Sequence, residues 1–576
     1  MIVEVIVERW REMPTIRLFH EDIERLTGVD IDTVREKLPF LGADLERDGE
    51  DFMDVEFFPN RPDLFSVEGV ARALRAFLNI QPGISSYETT PSGIEMNVDD
   101  AVIDVRPYVV CGVVRDLEFD ERAIESLMNL QEHIHRGIGR NRRKVSIGVH
   151  DLSRVKPDFR YTAVDPDFSF VPLDFKEEMT MKDILERHPK GIEYGFILKD
   201  ADRYPLIVDY DGNVLSFPPI INAELTRVTE ETRDLFIEVT GTDENVFVAL
   251  NIVVCALAER GGRVQTVKVR SPQDGAVIET PDLNPSTHEL RLSEVRALTG
   301  LDIDAETSVK CCARMGLHAD VVRGDGSDGD DVLIVKVPAY RCDILHPWDI
   351  IEDIAIGYGY DRIVPTLPKT DVVGEEHAEE RRNRRIREMM IGLGFMEVQT
   401  FTLSSERKQF TLMRRRSCEV VRVAHPISEE YEMLRCAIMP NLIDVLSMNK
   451  HREMPQRIFE IGTVFRGEER TNLAAVSMHA HANFAEIRSV VDAILREFGI
   501  ADITVIKPSD DDAFIKGRRA SIMLNGREIG VFGEIHPEVI RNFSLDHPII
   551  GVEMDVDATT INARRLRTSS QRRCLC

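Results

Sequence analysis

LTGVDID at residues 26–32 returns as LTGLDID at residues 298–304, and this repeat decides how the chain is divided. Each copy lies between two stretches whose apolar residues recur at helical spacing, and each then reaches a glycine, Gly42 or Gly316. Farther on comes an alternating strand, then an arginine just ahead of an aspartate: PNRPDL at 59–64 and PAYRCDI at 338–344. Both run into an amphipathic helix, marked by Val67, Val70, Ala71, Leu74 and Phe77 in the first copy and by Ile351, Ile354, Ala355 and Tyr358 in the second. Two related α+β modules are expected, over residues 13–95 and 273–365.

Outward from the repeat, residues 96–272 alternate short β-branched runs, such as VSIGV at 145–149, with polar turns and close on a helix near 246–259. A mixed α/β domain is expected there. GDGSDGDD at 324–331 fits a surface hairpin between two strands. After the second module, LPKTDVVGEEHAEE at 367–380 carries prolines, glycine and acids ahead of the basic helix RRNRRIREMM. A final domain is expected over 375–560, with strands at 395–403, 457–465 and 528–533 and helices near 438–449 and 484–497. Residues 561–576 carry no core pattern and are expected to fray, and residues 1–12 read as an extra N-terminal segment.

The chain of 576 residues is too long for one hydrophobic core. Its hydrophobic share of 43% and charged share of 30% are those of a globular protein with sizeable cores. A net charge of −28 repels polyanions, so any nucleic-acid contact must use local basic patches or a more basic partner. The nine cysteines are scattered without zinc-ligand spacing and read as reduced thiols. The longest apolar run, near 247–258, is too short for a bilayer, and no basic leader with an apolar stretch opens the chain. A cytoplasmic location is expected.

Three constellations stand out. In RCDILHPWDIIEDIAIGYGY at 341–360, Asp349, Glu352 and Asp353 share one helix face, with Asp343 a loop upstream. Oxygen-only donors select a hard ion such as Mg2+; the alternative is an N-cap at Asp349 with first-turn acids favouring the helix dipole. RGIGRNRRK at 136–144 concentrates Arg136, Arg140, Arg142, Arg143 and Lys144, either a phosphate-binding run or a solvated face. The run from 216 to 242 sets Ser216, Asn222, Glu224, Glu238 and Thr240 among apolar strand positions, either as a small polar pocket or as buried structural hydrogen bonding. No serine elbow, Walker loop or dinucleotide fingerprint occurs.

Taken in order, PNRPDLFSVEGVARAL at 59–74, GRNRRKVSIGVHDL at 139–152, FIEVTGTD at 236–243, VPAYRCDILHPWDIIEDIAIGYGYDRI at 337–363, AHPISEEYEMLR at 424–435, PQRIFEIGTVF at 455–465 and GVFGEIHPEVI at 530–540 resemble the phenylalanyl-tRNA synthetase β subunit of archaeal type. The resemblance implies Mg2+ at Asp343, Asp349, Glu352 and Asp353. It implies an editing-type central domain that hydrolyses tyrosine misjoined to the phenylalanine tRNA, with Ser216, Asn222, Glu224, Glu238 and Thr240 in its pocket. It also implies a partner α subunit that binds ATP and phenylalanine, in a tetramer of two α and two β chains.

The final domain is similar to the antiparallel class II synthetase fold, with its ATP-binding arginines missing: Arg457 stands three residues before Glu460 rather than two, and no Gly-x-Gly strand leads into an arginine. The readings carried forward are thus a noncatalytic editing subunit of the ligase and, as alternatives, an RNA-binding scaffold with an inactive pocket or a free-standing synthetase. The missing arginines speak against the last.

Overall fold

The computed structural model describes residues 14–271, 275–324 and 330–559. The expected N-terminal segment 1–12, the tail 561–576 and the tip of the 324–331 hairpin lie outside those residues. The chain forms two compact units, one ending at Leu367 and the other beginning at Pro368.

The first module runs β1 (Thr15–Phe19), α1 (His20–Thr27), α2 (Ile31–Lys37), β2 (Ala43–Asp48), β3 (Phe52–Phe57) and α3 (Val67–Phe77). β3 lies between β1 and β2, antiparallel to both. The repeated LTG triplet is a helix stop in both copies: Gly28 (φ 77°) and Gly300 (φ 71°) close their helices in the left-handed conformation that glycine adopts at little cost. The threonine before each bonds back to the carbonyl four residues earlier, Thr27 to Ile23 and Thr299 to Val295, both at 2.6 Å. The next helix is capped by an aspartate of the DID triplet, but by different members: Asp30 in the first copy and Asp304 in the second.

The central domain is built on a ten-stranded sheet. Its elements are β4 (Thr89–Val98), β5 (Tyr108–Arg115), α4 (Glu121–Arg136), β6 (Val145–Asp151), β7 (Phe159–Val164), β8 (Tyr204–Val208), β9 (Val214–Phe217), β10 (Ile221–Asn222), β11 (Leu235–Gly241), α5 (Asn245–Glu259), β12 (Arg263–Arg270) and β13 (Val277–Thr280). The strand order is β10-β9-β8-β7-β4-β12-β5-β11-β6, with β13 beside β12. α5 is apolar on nearly every side because it is covered on nearly every side, by β5, β11 and β6 and by α3 and α4.

The second module repeats the first: β14 (Ser286–Arg291), α6 (Leu292–Thr299), α7 (Ala305–Arg314), β15 (His318–Val322), β16 (Val332–Val337) and α8 (Pro347–Tyr358), with β16 central. One continuous apolar cluster joins both modules to α5 through residues such as Val70, Leu74, Val253 and Ile351.

The second unit carries a seven-stranded sheet in which the strand at Met396–Glu397 pairs parallel with Gln456–Phe465 and all other neighbours are antiparallel. Helices Ala378–Gly392, Met439–Met448 and Phe484–Glu497 pack with it. The strand expected over 395–403 is broken into Met396–Glu397 and Leu403–Ser404. Between them the backbone bonds irregularly: Val398 N–H donates to the Phe459 carbonyl at 2.9 Å, the Thr402 carbonyl accepts from Arg435 N–H at 2.8 Å, and the Phe401 carbonyl accepts from Asn441 Nδ2 at 3.0 Å. Among the described residues no helix is long and apolar enough to cross a membrane.

Arg260, just past the end of α5, ties the central domain to the first module. Its guanidinium meets Asp22 of α1 at 2.7 Å and Glu68 of α3, all three side chains being buried. Arg260→Met should lower stability by about 3 kcal/mol, because two carboxylates are left buried without their shared cation. Adding Asp22→Asn and Glu68→Gln should recover most of that loss in denaturant unfolding.

Candidate functional site

β6 is an edge strand, paired with β11 on one side only. Its Ile147 and Val149 backbone groups face away from that partner and need others. Side chains supply them: Ile147 N–H donates to His135 Nε2 at 2.8 Å, the Ile147 carbonyl accepts from Gln131 at 3.4 Å, and the Val149 carbonyl accepts from Asn222 Nδ2 at 3.2 Å. Asn222 belongs to β10, the opposite end of the same sheet, so the sheet curls until its two edges face each other. The seam is bridged by side chains rather than closed by a strand ladder. A cavity of about 370 Å³ opens there, lined among others by Gln131, His135, Arg142, Ser216, Asn222 and Glu238.

Register places the acid. Glu238 on β11 lies directly opposite Gly148 on β6. A Cβ at residue 148 would stand 2.3 Å from Glu238 Oε1 and 2.8 Å from His150 Nε2, so glycine is what lets these two side chains share this face of the sheet. Ser216 Oγ donates to Glu238 Oε1 at 2.9 Å, while His150 Nδ1 meets Thr226 Oγ1 at 2.8 Å. His150 Nε2 comes within 3.9 Å of Glu238 Oε1, beyond hydrogen-bonding distance.

Seven buried side-chain polar atoms lack a hydrogen-bond partner among the described residues, and four of them ring this seam: His135 Nδ1, Arg142 Nε, His150 Nε2 and Glu238 Oε2. An orphaned buried group costs about 1–3 kcal/mol, so such a concentration marks a place that water or a polar ligand would satisfy.

Of the residues singled out in the sequence, Ser216, Asn222 and Glu238 meet in this cavity. Glu224 and Thr240 do not. Glu224 turns to Arg227, at 2.7 and 2.9 Å, which holds its carboxyl below the ordinary range. Thr240 is fully buried and serves Arg106, accepting from its Nε at 3.0 Å. His135, His150, Gly148 and Thr226 were missed. The available signal, for Gly148 and His150, was the alternation in VSIGVHD, which sets Ser146, Gly148 and His150 on one face of a strand that places Val145, Ile147 and Val149 on the other.

The basic run divides. Arg140, Asn141 and Arg142 all take positive φ (49°, 55° and 62°), strain of roughly 1 kcal/mol or more each that the fold must hold. This turn swings Arg142 inward, against expectation, to bond Glu132 at 2.5 Å and the Ile220 carbonyl at 3.0 Å and to stack on Tyr194. Arg143 is exposed beside Phe196. Arg136, Arg140 and Lys144 line a larger cleft of about 1030 Å³ together with Arg17, Asn129 and Asn245.

The four acids of the second module line one cavity of about 580 Å³ with Asn60, Arg61 and Tyr360. The helix N-cap is His346, not Asp349; Asp349 is the third helical residue and accepts the N–H groups of Leu345 and His346 at 2.8 and 2.7 Å. Arg341 takes both oxygens of Asp343, at 2.8 and 2.7 Å, and one of Asp353, at 2.8 Å. Burial pushes the Asp353 carboxyl up. Glu352 is exposed. Among the described residues no three His, Cys, Asp or Glu side chains are gathered into a metal cage. The donors are oxygen only, which suits a hydrated Mg2+ held through its own waters rather than a stripped ion.

Comparison with known proteins places this geometry in context. The sequence model of the phenylalanyl tRNA synthetase beta chain CLM domain matches residues 363–556, that of the tRNA synthetase B5 domain 288–360, and that of the B3/4 domain 118–251. The chain is 52% identical over 547 residues to the phenylalanine–tRNA ligase beta subunit of Methanothrix thermoacetophila, covering 94% of this chain and 100% of the relative. It is 50% identical over 547 residues to that of Methanosarcina barkeri, covering 95% and 99%. The crystal structure of an N-terminal fragment of the phenylalanyl-tRNA synthetase beta subunit from Pyrococcus horikoshii aligns with a TM-score of 0.57 at 40% identity, over 60% of this chain and 100% of the fragment.

The seam also carries a pH dependence. Burial and the neighbouring Arg142 hold His135 down to about 4, against 6.5 for an ordinary histidine. The unfolded chain therefore takes up a proton between pH 6.5 and 4 that the folded chain refuses, so stability is full above 6.5 and falls as pH drops through this window. His133, also held to about 4 by burial, adds in the same direction. His135→Gln should reduce the slope of unfolding free energy against pH by about one proton between pH 6.5 and 4. An unchanged slope would mean that His135 is charged in the fold.

Proposed function

The chain belongs to the family of phenylalanine–tRNA ligase β subunits, and from that membership we propose that it works with a separate α subunit to join phenylalanine to its tRNA at the expense of ATP. The seam cavity is its editing site, which hydrolyses tyrosine misjoined to the same tRNA. The observation that carries the editing reading is the ring of orphaned polar groups around Glu238.

The chemistry supports the division of labour. A pocket built for phenylalanine can exclude the extra hydroxyl of tyrosine only modestly, whereas a second pocket that hydrogen-bonds that hydroxyl discriminates far better. Gln131, Asn222 and the orphaned His135 Nδ1 and Arg142 Nε offer polar partners in a cavity otherwise walled by Ile147, Val149 and Phe217. Glu238, fixed by Ser216, is the acid placed to orient a water toward an ester carbonyl.

The second unit reads as a class II-like sheet that has given up activation. Its Glu460 is buried in a pair with Arg435 at 2.7 Å, and Arg457 is drawn off to Glu486 at 3.2 Å. Neither Arg435 nor Arg457 is thereby left to hold a nucleotide phosphate. Exposed Ile391, Met396 and Phe401 give this unit apolar surface suited to an α-subunit interface, and the assembly we favour is two α and two β chains. Activation of phenylalanine with ATP then belongs to the α chain.

Arg17, Arg136, Arg140 and Lys144 in the large cleft supply cations for the tRNA backbone in an otherwise acidic chain. Asp349 and Glu352, with Asp343 and Asp353 behind them under the hold of Arg341, would keep a hydrated Mg2+ that offsets the charge of the acidic cavity.

Two measurements test these assignments. Glu238→Gln should slow release of tyrosine from mischarged tRNA by the assembled enzyme at least 100-fold, the scale of losing a group that positions the reacting water, and leave phenylalanine charging within about twofold. Equal loss of both activities would remove the editing assignment. For the metal, Mg2+ should raise the unfolding temperature of the wild-type chain, and Asp349→Ala with Glu352→Ala should abolish that rise; an undiminished response would place the ion elsewhere.

A further inference from the structure

We infer that His150 is the base that takes the proton from the hydrolytic water, and that the water is held between His150 Nε2 and the Glu238 carboxylate. This rests on the editing reading of the seam cavity.

The hydrogen bonds of Thr226 fix the tautomer of His150. Thr226 Oγ1 has backbone carbonyls as acceptors for its own proton, Ala223 O at 3.3 Å and Leu215 O at 3.4 Å. It therefore accepts from His150 Nδ1 at 2.8 Å, which puts the ring proton on Nδ1 and a lone pair on Nε2. Phe236, stacked beside the imidazole with ring centroids 6.2 Å apart, offers no polar partner.

That lone pair points toward another acceptor. His150 Nε2 lies 3.9 Å from Glu238 Oε1, and Oε1 already receives the Ser216 hydroxyl. Both His150 Nε2 and Glu238 Oε2 are buried and unpartnered. Two acceptors facing each other in a buried site call for a double donor, and water is the small molecule that donates twice. A water giving one hydrogen to Nε2 and one to the carboxylate keeps its own lone pairs for a third atom. Glu238 lines the seam cavity and His150 lies fully buried behind it, so a water held between them reaches the space where an aminoacyl ester would enter from beside the carboxylate.

The step then balances. The water oxygen attacks the ester carbonyl carbon while one O–H proton passes to His150 Nε2, forming imidazolium and a tetrahedral adduct. The adduct collapses by breaking the bond between the carbonyl carbon and the ribose oxygen, which takes the proton from the imidazolium as it leaves. The products are a free tRNA 3′ end and tyrosine, whose carboxyl group releases its proton to solvent. Glu238 exchanges no proton in this sequence and orients the water; Thr226 fixes the tautomer and acts only through His150.

The test uses the assembled α and β chains and tRNA mischarged with tyrosine. His150→Phe keeps the ring shape and removes the acceptor, so deacylation should fall at least 100-fold while phenylalanine charging and the half-saturating concentration of mischarged tRNA hold. His150→Ala should lose as much and recover part of its rate with added imidazole, which a merely structural role would not show. Thr226→Val should cost about tenfold in rate alone. Deacylation by His150→Phe at the wild-type rate, or failure of imidazole to restore any rate to His150→Ala, would overturn the inference. If Glu238→Gln is inactive in the same assay while His150→Phe is not, only the role of His150 falls; if both deacylate normally, the editing assignment of the cavity falls with it.

Discussion

An edge strand that cannot find a neighbour sets the terms for everything around it. β6 has β11 on one side and, among the described residues, no paired strand on the other, so Ile147 and Val149 present backbone groups that would otherwise be buried and unpaired. Each such group costs about as much as a lost hydrogen bond. The chain meets this demand with His135, Gln131 and Asn222 instead of an added strand. Side chains bridge a gap without filling it, and the result is a largely apolar cavity set with a few polar groups where a closed barrel would have had only core. The position of Glu238 follows, because its register against Gly148 is fixed by β6 as well.

The two repeat modules keep that seam in place without taking part in it. Their apolar faces and α5 form one cluster, and the buried ions at the junctions are matched: Arg260 with Asp22 and Glu68, Arg341 with Asp343 and Asp353. The repeated arginine–aspartate pairs, Arg61 with Asp63 and Arg341 with Asp343, lie close enough for Arg61 to come within 4.0 Å of Asp343. The duplicated motif thus meets its own copy across the interface. In the first copy, the helix positions that correspond to Asp349, Glu352 and Asp353 are Gly69, Arg72 and Ala73, which confines the acidic cavity to the second.

What could be read from the sequence was local, and what could not was a matter of distant pairing. The repeat was visible because helix stops need glycine at a particular φ, so Gly28 and Gly300 left a signature with LTG around it. Glu238 and Ser216 stood out as polar residues in apolar runs. The seam did not, because β10 begins seventy residues after β6 ends and nothing in either strand announces that the sheet will bring them together. Thr240 and Glu224 looked like pocket residues by the same rule that found Glu238, and only register and an arginine nearby separate the three. Arg142 looked like part of a basic surface because composition is blind to a left-handed turn that reverses one side chain out of five.

The central claim is that the aminoacyl end of a mischarged tRNA enters the seam between β6 and β10, and the most direct measurement is a crystal structure of the chain with a non-hydrolysable tyrosyl-adenosine in which an amide replaces the ester. The tyrosyl group should lie inside the seam cavity, its carbonyl carbon beside Glu238 and its phenol oxygen hydrogen-bonded to the polar side chains there. Tyrosyl density in the large cleft of Arg136, Arg140 and Lys144, with the seam cavity unchanged, would contradict it.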